Sequence, residues 1–315
     1  MELKINGKDM SVNDLKQFIK EPGRIYEGLV ANGFLNFLPD ELIIRQLYRL
    51  KTGKVLNLEN PRSFDEKIQW LKLHDRNPEL TNLVDKYEVK KIVSEIVGDK
   101  YIIPTLGVWK KPEDINFNSL PDQFVLKCTH DSGGLIICKD KASLDKAQAI
   151  RILRHSFRRN YYYRGREWAY KNVKPKIIAE QYMEDSSGEL NDYKVFNFDG
   201  CPKLIQVDYD RFTDHKRNLY TPDWKYIDAS IKFPNDRNHI IPKPVCLQEM
   251  LCLASTLSRG FAHVRTDFYC IDDKLYFGEM TFYHGSGFEK FTPEEFGLEV
   301  GSWLKIPHDN EKQGE

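Results

Sequence analysis

The chain has no net charge. Its 47 Lys and Arg balance 47 Asp and Glu over 315 residues, so global charge favours neither nucleic acid nor a membrane surface as partner. It also lacks any apolar run near the roughly 20 residues of a membrane span, and none is expected. Met1–Lys8 carries charge from the start, unlike a signal peptide, and the expectation is a soluble, cytoplasmic protein. The six cysteines (Cys128, Cys138, Cys201, Cys246, Cys252 and Cys270) include no C-x-x-C pair. Several sit in apolar runs such as VLKC and LIIC, where reduced cysteine acts as a small buried hydrophobe. Internal repeats and low-complexity segments are missing too. Aromatic residues are plentiful instead, with 16 Tyr and 18 Phe, which suits an enzyme with stacked, partly polar clefts. The length allows a sizeable core in two or three compact units.

Residues 11 to about 100 read as helical. Ser11-Val-Asn-Asp opens one helix, Asp40–Leu50 places Leu42, Ile43, Leu47 and Leu50 at helical spacing, and Ser63-Phe-Asp-Glu66 is a capping box leading into Lys67–Leu73. A further helix is expected over Asp85–Val97, broken by Gly98. From Tyr101 the texture turns to short β-rich runs: YIIPTLGVW, QFVLKCTH and GLIICKD. Ser143–Tyr163 returns to helix with a stripe of Ile150, Leu153 and Phe157. Strands follow at Lys176–Met183, Asp192–Phe198 and Lys203–Tyr209, then a helix over Val245–Gly260 and a polar tail after Ile306. The layout is α+β with a helical lead.

The richest stretch is VRTDFYCIDDKLYFGEMTFYHGSGF, Val264–Phe288. Residues two apart on a strand share a face, so Arg265, Asp267, Glu279 and Thr281 collect on one face if Asp267 lies opposite Glu279. Their spacing of twelve calls for an odd-numbered loop, most simply Asp272, Asp273 and Lys274. Facing carboxylates tolerate each other when they share divalent cations, and hard oxygens suit magnesium. Tyr283-His284-Gly285-Ser286-Gly287 follows at once, and its backbone N–H groups would suit an acceptor carboxylate or an oxyanion.

A second constellation is FVLKCTHDSGGLII. A strand delivers Lys127, and Ser132-Gly133-Gly134 let backbone N–H groups close on an anion; the plainer alternative is a hairpin turned by its glycines. No G-K-[ST] follows, so it is not a Walker loop. The third is KIIAEQYM, an apolar strand ending at Glu180 and running into a polar loop before Asn191-Asp192-Tyr-Lys194. Its backbone would suit an adenine edge, or it is an edge strand with a solvated carboxylate.

These motifs, in this order, resemble the ATP-grasp superfamily, and the wording of FDEKIQWLKLHDRNPEL, DKYEVKKIV, VLKCTHDSGG, EQYMED, DYKVFNFDG and FGEMTFYHGSGFEKF is similar to its TupA-like branch, found among polysaccharide and teichuronopeptide biosynthesis proteins. The resemblance covers roughly Phe64 to Phe296. It implies two α+β lobes gripping ATP: a helical segment over 1–84, an N-terminal lobe with a phosphate-covering loop over 85–179, a C-terminal lobe with the metal site over 180–306, and a polar tail over 307–315. It implies ATP and Mg2+ as cofactors. Lys86 and Lys127 match phosphate lysines, Ser132, Gly133 and Gly134 the closing loop, Glu180 with Gln181, Tyr182 and Met183 the adenine hinge, and Asp192 a ribose contact. Arg265 matches the arginine that steadies the acyl phosphate, and Asp267 and Glu279 the magnesium carboxylates. Thr281 stands where relatives usually carry asparagine, so it is the third metal position by analogy only.

The implied activity is an ADP-forming carboxylate–amine ligase acting through an acyl phosphate, decorating a bacterial surface or capsular polysaccharide with a uronic acid or acidic amino acid as carboxylate donor. The expected partners are small-molecule or saccharide carboxylates and amines. The charged run Asp208–Asn218 suits either a surface turn laced with weak ion pairs or a loop over the cleft, with Arg211, His215 and Arg217 as substrate contacts beside His284, Gly285 and Ser286. Arg151–Lys171 is basic with interleaved tyrosines, which suits a solvated helix face, an acidic glycan or nucleic acid; chain neutrality weighs against the last. A glycosyltransferase would need a D-x-D-type motif, for which Asp208-Tyr-Asp210 and Asp272-Asp273 are the nearest matches. A non-catalytic nucleotide or nucleic-acid binding module is the other alternative.

Overall fold

A computed structural model of the chain describes residues 4–5, 8–9, 22–186, 191–210 and 214–307. The helix expected from Ser11, the candidate Arg211 and all but the first residue of the tail lie outside these residues. A short antiparallel pair, Lys4–Ile5 (β1) and Lys8–Asp9 (β2), precedes helices Pro22–Ala31, Asp40–Thr52, Phe64–His74, Leu80–Val84 and Glu88–Val97. The capping box forms as expected: Ser63 Oγ accepts from the Glu66 N–H at 3.3 Å and Glu66 Oε2 accepts from the Ser63 N–H at 3.0 Å. The helix expected from Asp85 starts instead at Glu88. Asp85 Oδ1 accepts from the N–H groups of Tyr87 and Glu88 at 2.8 and 3.2 Å, so it caps the helix from outside and leaves Lys86 in the turn.

Two antiparallel sheets follow. The smaller has the order β3-β6-β4-β5, from Thr105–Trp109, Ile177–Gln181, Phe124–Cys128 and Leu135–Cys138. Helix Lys146–Phe157 packs on β4 and β5. It is shorter than the expected Ser143–Tyr163 because Asp145 caps it, accepting from Gln148 N–H at 2.8 Å. The larger sheet runs β10-β9-β8-β7-β12-β13, from Tyr226–Ile227, Lys216–Tyr220, Cys201–Tyr209, Asp192–Phe198, His263–Ile271 and Lys274–Thr281. A third pair joins Ser230–Ile231 (β11) to Phe291–Thr292 (β14).

Alternation divides the larger sheet into two unlike sets. Val195, Ile205, Val207, Val264 and Phe268 join the main core with Leu247, Met250, Leu253 and Leu257 of helix Leu247–Leu257. The other set carries Asp192, Lys194, Gln206, Asp208, Arg217, Arg265 and Asp267, all buried. The helix side is what burial of apolar area drives; the polar set needs internal partners.

The hairpin register puts Asp267 opposite Glu279 and Arg265 opposite Thr281, which meets the condition for one shared face. Its loop does not match the expected three residues. Ile271 pairs with Lys274, so only Asp272 and Asp273 turn the chain, at φ 47° and 61°, the geometry a two-residue hairpin needs. A bulge takes up the odd residue: Phe268 pairs with Phe277, leaving Gly278 over. A Cβ at Gly278 would lie 3.1 Å from the Asp267 carbonyl oxygen.

The cysteine reading also changes in part. Cys128 and Cys138 are free and buried, but Cys246 and Cys270 form a disulfide that ties the start of helix Leu247–Leu257 to β12. They lie 24 residues apart in sequence, a separation that marks no pair in advance. Among the described residues no helix is long and apolar enough to cross a membrane.

His263 opens β12 fully enclosed by Phe64, Phe196 and Phe198, with Nδ1 at 2.9 Å from the Asn197 carbonyl. Burial lowers its pKa from 6.5 to about 3. The neutral ring therefore contributes stability in full above pH 6.5, which is lost as pH falls toward the folded value, at about 1.4 kcal/mol per pH unit. In urea unfolding between pH 6 and 4, His263→Gln should show a pH slope smaller than wild type by about that amount.

Candidate active site

Lys86 and Lys127 reach the site from different elements. The Lys86 N–H donates to the Thr129 carbonyl at 3.0 Å, which fixes its turn to the end of β4. Its ammonium lies 3.2 Å from Glu279 Oε2, so one ion pair links this turn to the larger sheet. Burial opposes the charge on Lys86, but Glu279 outweighs it and raises the pKa. In return, against the same burial, Lys86 and Arg265 pull Glu279 down to about 2.

Glu180, the last but one residue of β6, has its carboxylate between two ammonium groups, Lys90 at 2.5 Å on Oε1 and Lys127 at 2.5 Å on Oε2. Lys90 also donates to the Ile103 carbonyl at 2.8 Å. Burial lowers the Lys90 pKa, while the two lysines hold Glu180 below its usual range despite burial. The Glu180 side chain is thus fully engaged, and the exposed continuation is Gln181, whose N–H donates to the Pro104 carbonyl at 3.0 Å. Beside it lies a recess of about 790 Å³ walled by Leu106, Lys139 and Tyr182. The sequence reading missed Lys90. Nothing in its spacing marks it, since Lys86 lies outside the helix and Lys90 meets Glu180 only through the fold.

The Ser132–Gly134 loop is anchored from behind. Asp131 accepts from the Ser132 N–H at 2.6 Å, from Arg159 at 3.0 Å, and from the Ser156 hydroxyl. Gly134 must be glycine: a Cβ would meet Cys128 Sγ at 2.7 Å and Ser156 Cβ at 2.8 Å.

On the larger sheet Arg265 forks onto Asp267, Nε to Oδ1 at 2.7 Å and Nη2 to Oδ2 at 2.6 Å, and Nη2 also reaches Thr281 Oγ1 at 3.1 Å and Glu279 Oε1 at 3.4 Å. Burial pushes Asp267 up to about 6 against the pull of Arg265 and Lys194. From there a closed circuit of seven side chains crosses the sheet: Asp267–Arg265, Arg265 Nη1–His284 Nδ1 at 2.7 Å, His284–Glu289 at 3.1 Å, Glu289–Arg217 at 3.1 Å, Arg217–Asp208 at 2.6 Å, Asp208–Lys194 at 3.3 Å and Lys194–Asp267 at 3.9 Å. Asp192 pairs with Lys194 at its edge.

His284 is buried behind Arg265, and burial lowers its pKa to about 4. As a neutral ring it accepts from Arg265 on Nδ1, while its Nε2 faces Glu289 Oε2 at 3.1 Å without a well-aligned hydrogen bond. Arg217 lies inside the circuit, and His215 stacks on Phe233 at 3.8 Å beside Asp208. The candidates Gly285 and Ser286 form a left-handed turn, φ 55° and 56°. Helix Phe64–His74 pins that turn: Gln69 donates to the Ser286 and Gly287 carbonyls at 3.0 and 2.6 Å, and Lys72 to the Ser286 carbonyl at 2.6 Å and its hydroxyl at 2.9 Å. Glu289, Lys194 and Lys72 carry much of this network and were not singled out as site residues in the sequence. Of the D-x-D candidates, Asp208 is locked in the circuit and Asp272 turns the hairpin, accepting from Ser186 N–H at 3.1 Å.

The donor set suits magnesium chemically, with two carboxylates and a hydroxyl as hard oxygens. Among the described residues no group of three or more His, Cys, Asp or Glu side chains is placed to hold a metal; Asp267 and Glu279 are each paired with a protein cation. A bound ion would share these carboxylates with Arg265 and Lys86.

Two antiparallel sheets, bridged where Lys86 beside the smaller meets Glu279 on the larger, make up the fold. The chain belongs to the TupA-like ATP-grasp family, whose model matches residues 66–305. No curated protein matches it significantly. Among solved structures, D-alanine–D-alanine ligase from Bacillus anthracis is 17% identical at a TM-score of 0.37, over 64% of this chain and 58% of that one. The ATP-grasp ligase PsnB, complexed with minimal precursor, Mg and ADP, is 11% identical at 0.38, over 72% and 61%. N5-carboxyaminoimidazole synthase from Aspergillus clavatus, with ADP and 5-aminoimidazole ribonucleotide, is 12% identical at 0.39, over 65% and 46%. The match spans less than two thirds of the length of each of these three structures.

Glu180→Leu leaves Lys90 buried without its counter-charge and should cost about 3 kcal/mol in urea unfolding. Lys90→Met in the same chain should recover most of that loss, since an apolar pair then replaces the ion pair.

Proposed function

We propose that the chain is an ADP-forming ligase that uses ATP and magnesium to join a carboxylate to an amine. The observation that carries this reading is the pairing of Asp267 with Glu279 on one sheet face, with Arg265, Lys86 and Lys194 held around them. The family membership supports ATP-dependent ligation; the residue roles are those the motif resemblance implies, and the geometry is compatible with them.

In this reading Lys127 and Lys86 bind the ATP phosphates, Ser132–Gly134 closes over them, and the Gln181–Met183 backbone holds adenine at the edge of β6, with Asp192 near the ribose. Asp267, Glu279 and the Thr281 hydroxyl would hold magnesium, which would supply Lewis-acid polarisation of the phosphoryl oxygens. A substrate carboxylate oxygen bonds to the γ-phosphorus as the bond to ADP breaks. The amine nitrogen then bonds to the acyl carbon, gives up a proton, and inorganic phosphate leaves. Both partners in the first step are anions, so Lys86, Lys127 and Arg265 must cancel their repulsion. Arg265 is suited to the task because His284 and Asp267 fix its plane. His284 acts through Arg265 and does not take a proton from substrate. The setting that the resemblance implies is the decoration of a bacterial surface or capsular polysaccharide.

Incubation of the full chain with ATP, magnesium and pools of sugar acids, amino acids and amines should release ADP and phosphate in step with amide. Asp267→Asn and Glu279→Gln should each lower that turnover roughly a hundredfold or more while the far-ultraviolet circular dichroism stays unchanged. Consumption of a nucleotide sugar with ATP untouched would overturn the reading.

A further inference from the structure

The basic, tyrosine-rich segment Arg151–Lys171 is not used by the chemistry above, and its cations go to different partners. Arg154 pairs with Glu113 at 2.6 Å, Arg166 is buried against the Tyr162 ring, and Lys171 lies over the same ring. Arg159 differs from these. It lies just past helix Lys146–Phe157 and reaches Asp131, the residue directly before the Ser132–Gly134 loop.

Asp131 is 5% exposed, so its carboxylate needs partners inside the protein. Arg159 Nη2 donates to its Oδ2 at 3.0 Å, and the Ser156 hydroxyl donates to the same oxygen. Its Oδ1 accepts from the Ser132 N–H at 2.6 Å. One carboxylate thus ties the loop on one side to the helix end on the other. Arg159 Nη2 also lies against Gly133, where an added Cβ would be 3.3 Å away. The backbone of Arg159 is itself fixed: its carbonyl lies 3.0 Å from His130 Nε2, and its N–H donates to the Ser156 carbonyl at 3.1 Å.

The two ends of the loop are anchored as well. The Thr129 N–H donates to the Lys176 carbonyl at 2.9 Å, and the Gly134 carbonyl accepts from the Cys128 N–H at 2.9 Å. Between these anchors, the Asp131 carboxylate sets how Ser132 and Gly133 lie. A hydrogen bond to a charged group is stronger than a neutral one, and a buried carboxylate stripped of its cation is costly. The stem therefore has one favoured arrangement while Arg159 is in place. Helix Lys146–Phe157 packs on β4 and β5, and β4 carries Lys127. Loop and lysine are thus held to one framework. Because Asp131 takes the Ser132 N–H, the N–H groups of Gly133 and Gly134 are the ones left to face a phosphate.

We propose that Arg159 is a positioning residue of the ligase: by holding the Asp131 carboxylate, it places the Gly133 and Gly134 N–H groups where they meet the nucleotide phosphates. The proposal rests on the ligase reading and adds a residue that the motif resemblance does not mark. Arg159 acts through Asp131 and not on the phosphates.

Hydrogen exchange of the full chain, read at the amides of residues 132–134, tests the tie, and calorimetric titration with MgADP tests its consequence. In Arg159→Gln those amides should exchange about tenfold or more faster than in wild type, with helix Lys146–Phe157 and β6 protected as before. MgADP should bind that variant roughly tenfold or more weakly. Arg159→Lys keeps a cation for Asp131 and should restore most of both. Loop exchange unchanged in Arg159→Gln, or faster exchange with MgADP affinity equal to wild type, would overturn the proposal, as would an Arg159→Lys variant that restores neither. A wild-type chain that never binds MgADP, with loop exchange faster in Arg159→Gln and recovered in Arg159→Lys, would support the tie and overturn the ligase reading alone.

Discussion

Carboxylates on a buried sheet face must be matched by cations, and the architecture follows from meeting that demand. Asp267 alone would be driven to its neutral form by desolvation. Arg265 grips both of its oxygens, Lys194 approaches from the neighbouring strand, and Lys86 reaches Glu279 from the turn before helix Glu88–Val97. Each cation comes from a different element, so the charge balance fixes β7, β12, β13 and the Lys86 turn relative to one another. The circuit through His284, Glu289, Arg217 and Asp208 extends the same constraint across β8 and β9. Such a network is high-stakes: complete, it specifies one arrangement, and broken at one member it leaves a buried charge uncompensated.

The balance also explains how a site can be ready for a polyanion. In this structure the lysines that would meet phosphate are paired with Glu180 and Glu279. A nucleotide with magnesium supplies both signs at once, so lysines and carboxylates can exchange partners with little change in net charge. The N-terminal helices take part too. Gln69 and Lys72 of helix Phe64–His74 hold the left-handed turn after β13, which makes that helix part of the scaffold of the site.

Much of the site was legible in the sequence because strand periodicity is strict. Arg265, Asp267, Glu279 and Thr281 fall on one face, and their register came out as two-residue alternation requires. The loop did not, because a bulge at Gly278 changes the parity, and a glycine inside a strand is the one mark of such a bulge that the sequence carries. Lys90, Lys194 and Glu289 were not legible as site residues for a different reason: their roles are long-range pairings, and composition does not state which lysine meets which carboxylate. The same holds for the Cys246–Cys270 disulfide. Arg151–Lys171 read as one basic stretch, and only the packing of Arg166 and Lys171 on Tyr162 separates those two cations from Arg159, which reaches Asp131.

The central claim is that the Asp267–Glu279 pair is the magnesium end of a nucleotide cleft. Titration of the wild-type chain with ADP, in the presence and absence of magnesium, tests it most directly. Saturable binding that tightens at least about tenfold with the metal is the predicted result. ADP affinity unchanged by magnesium, or no ADP binding under either condition, would contradict it.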